Sequence, residues 1–264
     1  MTRNTILAAF LILSSILFQN CGNKNEQTTQ QTTEPQPEIS SVKTDTITTE
    51  KVEEKNLPYT ITVETIDSTA YHSAKGKNSD KGNNLVKITD FKEAKKLLKG
   101  IVDFNENDKD NIQAVTAIHF RNGKKIGNSN DFDYYYFVAY YPEEDILLCE
   151  GGHTTDVSFN LTNGKETEET GNPDEIRFSP QNKVRLNGHF GGQECYSYFI
   201  EKKINNEYTK IIQLDEEFEK LTKIWLCTIG NSFWTDEETL YLTETDGYAE
   251  NSVNIKYFKI KIIQ

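Results

Sequence analysis

From residue 58 onward the chain alternates. In "YTITVETI" (Tyr59–Ile66) and "VNIKYFKIKII" (Val253–Ile263) apolar or β-branched residues return at every second position. That period sends successive side chains to opposite faces, so both stretches predict strands with one buried face. "AVTAIHF" (Ala114–Phe120) alternates in the same way, and Asn122-Gly123 behind it marks a tight hairpin. Asn163-Gly164 marks another turn, and Tyr134 to Tyr141 is an aromatic run along a strand. Trp225 and Trp234 are expected in the core. One stretch is helical in pattern. Asp90 caps Phe91–Lys99, Glu93 completes a capping box, Phe91, Ala94, Leu97 and Leu98 form an apolar face, and Gly100 ends it. The expected fold is mainly β: meandering antiparallel sheets with one helix near 90–99.

Three stretches repeat a pattern: "YPEEDILL" (Tyr141–Leu148), "SPQNKVRL" (Ser179–Leu186) and "TDEETLYL" (Thr235–Leu242). Each has a turn residue, polar residues, and then an apolar–x–apolar strand start. Their offsets bracket the ~40–50-residue period of propeller-type repeats. The "FSPQNKVRL" stretch resembles the Ser-Pro-Asp-Gly-Lys strand entry of TolB-like β-propeller blades, departing from it at Gln181 and Asn182. The resemblance implies sheets that are blade-like in part. The chain is too short for six full blades, so an open meander is expected rather than a closed propeller.

The first 57 residues read differently. Arg3 supplies one positive charge, Ile6–Phe18 is almost wholly apolar, and Phe18-Gln19-Asn20 leads to Cys21. About 13 apolar residues suit the h-region of a secretory signal and fall short of the ~20 that span a bilayer. The segment resembles a bacterial lipoprotein signal, with residues 1–20 removed and Cys21 carrying the lipid. It departs from the usual pattern at Asn20, where a small residue is the rule. The resemblance implies a protein lipid-anchored to the outer membrane; plain secretion and a retained anchor helix are the alternatives. Residues 21–57 are rich in Thr, Gln, Glu, Lys and Pro, cannot bury enough surface to order themselves, and read as a polar tether spanning about 30 Å. Residues 58–264 then form the β domain.

The 264 residues carry a net charge of −12. No basic stripe stands out, which argues against nucleic acid and against docking on anionic lipid by charge. Besides Cys21 there are Cys149, Cys195 and Cys227, all in strand-like runs. Three buried, inert thiols and a Cys149–Cys195 disulfide are both open.

Candidate chemistry centres on "GGHTT" (Gly151–Thr155) and "GHFGGQE" (Gly188–Glu194). Each sets a histidine beside glycines and near a carboxylate: His153 with Glu150, His189 with Glu194. Side by side they would form a rim, with Tyr134 and Tyr136 of the aromatic strand either presenting rings to a sugar or packing into the core and under a loop. Two imidazoles and a carboxylate would suit zinc or another transition metal; exposed loop residues are the alternative. "DFNENDKDN" (Asp103–Asn111) has part of a calcium-loop pattern but lacks its glycine and its closing acid. No nucleophile elbow, zinc-protease helix or phosphate loop occurs. The expectation is a non-catalytic binding or scaffolding module with no cofactor beyond the lipid. Its partners would be the membrane and a glycan or envelope protein. A metal-dependent envelope hydrolase acting on glycan or peptide is the alternative.

Overall fold

The computed structural model describes residues 59–76, 84–105, 113–127, 135–192, 195–245 and 254–264. Cys21, the tether, Tyr134, Glu194 and residues 106–111 of the acidic stretch lie outside the described residues. All described residues fall within the unit Glu54–Gln264.

Strand β1 (Thr60–Ile66) opens the fold and is followed by α1 (Ser68–Lys75), capped by Asp67. Helix α2 (Phe91–Leu97) is the one its sequence announces: the Asp90 side chain accepts from the Glu93 N–H at 2.8 Å. Next, β2 (Val102–Phe104), β3 (Val115–His119) and β4 (Lys125–Gly127) make a three-stranded sheet. A second comprises β5 (Tyr136–Tyr141), β6 (Ile146–Glu150) and β7 (Asp156–Asn160), with α3 (Thr167–Thr170) after it. The third sheet is β8 (Arg177–Phe178), β9 (Val184–Phe190), β10 (Tyr196–Ile204) and β11 (Glu207–Gln213). Helix α4 (Leu214–Thr222) leads to β12 (Ile229–Trp234), β13 (Thr239–Thr245) and β14 (Ile255–Ile263). In this fourth sheet the order is β1-β14-β13-β12, so the first strand pairs with the last, Thr60 opposite Ile263. All strand pairings between these elements are antiparallel.

The chain is therefore mainly β, in four antiparallel sheets. The three sequence repeats fall at equivalent places, the hairpins joining β5 to β6, β8 to β9 and β12 to β13. The expectation of a single helix is corrected: the described residues hold four. Helix α4 buries Leu214 and Phe218, one turn apart, and Phe218 meets Phe258 edge-to-face at 4.9 Å. That stripe is narrow and lies among acids, so the packing that stabilises it comes from the third and fourth sheets together. Helix α1 buries only Tyr71. No helix among the described residues is long and apolar enough to cross a membrane.

The largest core lies between the third and fourth sheets and α4, with Leu186, Ile200, Leu240, Leu242 and Phe258 at its centre. A second joins α2 to the first two sheets through Leu98, Ile118, Leu147 and Phe159. Trp234 is buried, its indole N–H donating to the Arg177 carbonyl at 2.8 Å. Trp225, expected in the core, is 64% exposed. Past α4 the backbone is left-handed at Lys223, and the extended chain beyond it turns Leu226 inward and its neighbour Trp225 outward.

The cysteines also differ from expectation. The disulfide joins Cys195 to Cys227, not to Cys149. Cys149 lies on β6 inside the second core, fully buried, where burial pushes its thiol pKa up. Cys195 instead runs beside the segment leading to β12, where the Tyr196 N–H donates to the Cys227 carbonyl at 3.1 Å.

Candidate functional site

The two glycine-rich stretches do meet. The Phe190 N–H donates to Asp156 Oδ2 at 2.7 Å. A Cβ on Gly192 would come within 2.9 Å of the Thr155 methyl, at a φ of +83° that itself favours glycine. Their histidines part company. His153 is exposed, in a left-handed conformation at φ 59°. His189 points inward from β9, 4% exposed, and its Nε2 stands 3.4 Å from Glu168 Oε1. Glu150 ends β6 exposed, opposite Tyr136 on β5 and Asp156 on β7. Among the described residues no three His, Cys, Asp or Glu side chains gather closely enough to hold a metal ion.

A different constellation stands out beside β9, and alternation creates it. Val184 and Leu186 enter the large apolar core; Arg185, Asn187 and His189 take the opposite face, which is buried as well. A buried arginine needs partners. Its Nε donates to Glu201 Oε2 at 2.6 Å, directly across on β10, and its Nη1 to Glu144 Oε2 at 2.9 Å, on the β5–β6 hairpin. Burial alone would lower the guanidinium pKa; the two carboxylates outweigh it and hold it above its ordinary value. The Tyr208 ring covers the guanidinium at 3.8 Å, a cation–π contact. Burial pushes the Tyr208 hydroxyl pKa up to about 12, and that hydroxyl donates to the Asn182 carbonyl at 2.7 Å.

Asn187 completes the frame. Its amide donates to the Thr170 carbonyl at 2.9 Å and to Glu201 Oε2 at 3.0 Å, and its Oδ1 accepts from the Gly188 N–H. A Cβ on Gly171 would meet that Oδ1 at 2.3 Å, and φ there is +67°. Only glycine fits without displacing Asn187.

A second ionic knot stands next to the first. Asp145 accepts from Arg121 Nε at 2.7 Å, Thr162 Oγ1 at 2.6 Å and Tyr140 Oη at 2.9 Å. Burial pushes its pKa up, but these donors outweigh burial and hold it below the usual carboxylate range. The knot pins the β5–β6 hairpin to the β3–β4 turn and to the turn after β7.

Between these knots and the β10–β11 hairpin opens a cleft of about 350 Å³. Asn205 and Asn206 close that hairpin with φ of 51° and 70°, the paired left-handed geometry that asparagine tolerates. Arg185 and Glu201 lie at its base, with Lys203, Asn206 and Glu207 on one wall and Glu143 and Asn163 on the other. Sequence reading missed this cleft. Arg185 reads there as one outward-facing residue of an alternating strand, and its partner Glu144 is 41 residues away. The "SPQNKVRL" repeat, which contains Arg185, was the available signal.

The chain matches no family model, no curated protein and no solved structure.

Proposed function

We propose that this chain is a lipid-anchored binding module of the bacterial cell envelope. Cys21 carries the lipid at the outer membrane, residues 22–57 act as tether, and the β domain carries a binding surface for a glycan or an envelope protein. The Cys195–Cys227 disulfide supports an extracytoplasmic location, since such bonds persist in oxidising compartments. The apolar run before Cys21 supports the anchor. A blade-like reading of the sheets draws on their strand order: each is a meander of consecutive strands, and β1 completes the last one.

The observation that carries binding over turnover is the cleft and the way its carboxylates are engaged. Glu201 and Glu144 both hold the same guanidinium, and the Asp145 carboxylate accepts four hydrogen bonds from three side chains. Such an arrangement fixes the shape of a surface. Pockets of roughly 300–1,000 Å³ with a few convergent polar groups are the usual small-ligand sites.

Mass spectrometry of the mature N-terminus, with fatty-acid labelling in the native cell, tests the placement. The expected result is a chain beginning at an acylated Cys21, and label lost in Cys21→Ser. A soluble, unacylated protein in the cytoplasm overturns it.

A further inference from the structure

We propose that the cleft between the β5–β6 and β10–β11 hairpins is the ligand site and that it takes a neutral, hydroxyl-rich ligand: an uncharged saccharide. This deepens the binding reading above and rests on it.

The first observation is an unengaged donor. Arginine carries five N–H groups, and the protein bonds of Arg185 run only from Nε and Nη1. Nη2 has no protein partner among the described residues, although the side chain is only 4% exposed. Nor is Nη2 among the polar atoms sealed inside the protein without a partner. Its N–H groups therefore reach the cleft that Arg185 lines. Glu201, Glu144 and the Tyr208 ring hold the guanidinium in one plane, so this donor is pre-positioned for an oxygen.

The second observation is charge. The cleft is lined by six carboxylates and three cationic side chains. A phosphate, sulfate or uronate would meet net repulsion. A polyamine would be drawn by the field and then face the Arg185 donors at the base. A hydroxyl group avoids both conflicts, because it accepts from arginine, lysine or amide N–H and donates to a carboxylate. Both kinds of group line the cleft: Lys203, Asn206 and Asn163 can donate, and Glu207 and Glu143 can accept.

The test uses the full-length protein in detergent, titrated calorimetrically with four probes: maltohexaose, chitohexaose, hexagalacturonate and spermidine. Binding of at least one neutral hexasaccharide is expected, with hexagalacturonate and spermidine at least tenfold weaker. Arg185→Lys keeps the charge but loses the planar fork, and a tenfold or greater loss is expected. Because Arg185 is buried, a second variant protects the test. Asn206→Gly with Lys203→Ala keeps the left-handed turn and removes two wall groups, and a similar loss is expected in a protein with unchanged thermal unfolding. Spermidine binding without saccharide binding overturns the ligand class and leaves the binding module standing. Saccharide binding indifferent to both variants overturns the site. No binding of any probe overturns the proposal and removes the cleft as support for the binding reading.

Discussion

Arg185 Nε lies 2.6 Å from Glu201 Oε2, and the two side chains are 4% and 2% exposed. They face each other across β9 and β10 in register. Breaking one side of such a pair leaves the other charge buried and alone, which costs about 3–5 kcal/mol. Arg185→Ala is expected to lose that much in chemical denaturation. Arg185→Met combined with Glu201→Leu is expected to lose less than the two single changes summed, because the fully buried Arg185–Glu201 pair goes together and only Glu144, 17% exposed and nearer to water, is left without its partner.

The Cys195–Cys227 bridge closes a loop of 32 residues. Cross-linking a loop of that size stabilises by about 3–4 kcal/mol through the unfolded chain. Reduction with dithiothreitol should lower the unfolding midpoint, and the double change to serine should reproduce the drop. Cys149→Ser should leave the sensitivity to reductant intact.

Asp145 has a folded-state pKa below its ordinary value of 3.8. A carboxylate shifted this way binds protons more readily when unfolded, so its stabilisation is complete above about pH 4 and fades as pH falls through the folded pKa. Asp145→Asn should destabilise at pH 7. It should also flatten the acid limb of the stability curve below pH 4, as read by thermal unfolding across pH.

Glu175 has the opposite sign. Burial pushes its pKa up, Arg177 pulls it back, and Asp156 and Asp174 add to the rise. The folded state then holds its proton more tightly, so this carboxyl costs stability as pH climbs past the ordinary glutamate range. Glu175→Gln is expected to raise the melting temperature at pH 7 and to change it little at pH 3.

Gly171→Ala should destabilise strongly, because the new methyl would displace Asn187 from Glu201 and Thr170. Gly152→Ala is the control. Nothing lies within 4 Å of its Cβ position and its φ is not left-handed, so a change within about 0.5 kcal/mol is expected.

What the sequence disclosed and what it hid follow from range. The alternation of Thr60–Ile66 and Ile255–Ile263 reported strands, because a half-buried strand writes its burial into every second residue. Asp90 with Glu93 reported a helix end, since both partners lie within one turn. Pro142 and Pro180 correctly marked hairpins. Helix α4 escaped notice because two buried apolar residues among five acids and bases make a faint stripe. Trp225 misled because size suggested burial, whereas the inward place belongs to Leu226. The Cys195–Cys227 pairing and the Arg185–Glu144 contact are long-range matters of how sheets face each other, and no local pattern encodes them. The glycine-rich rim was half legible: proximity showed in its motifs, while the inward turn of His189 depends on which face of β9 is apolar.

One consequence of the β1–β14 pairing concerns synthesis. Thr60 must wait for Ile263, two hundred residues later, before it has a hydrogen-bonding neighbour. The fourth sheet therefore stays open throughout translation of everything between them. A nascent chain interrupted anywhere before residue 255 would leave Ile61 and Leu242 without the strand that separates them. A polypeptide built in this way completes its other three sheets first and seals the fourth only when β14 has been made.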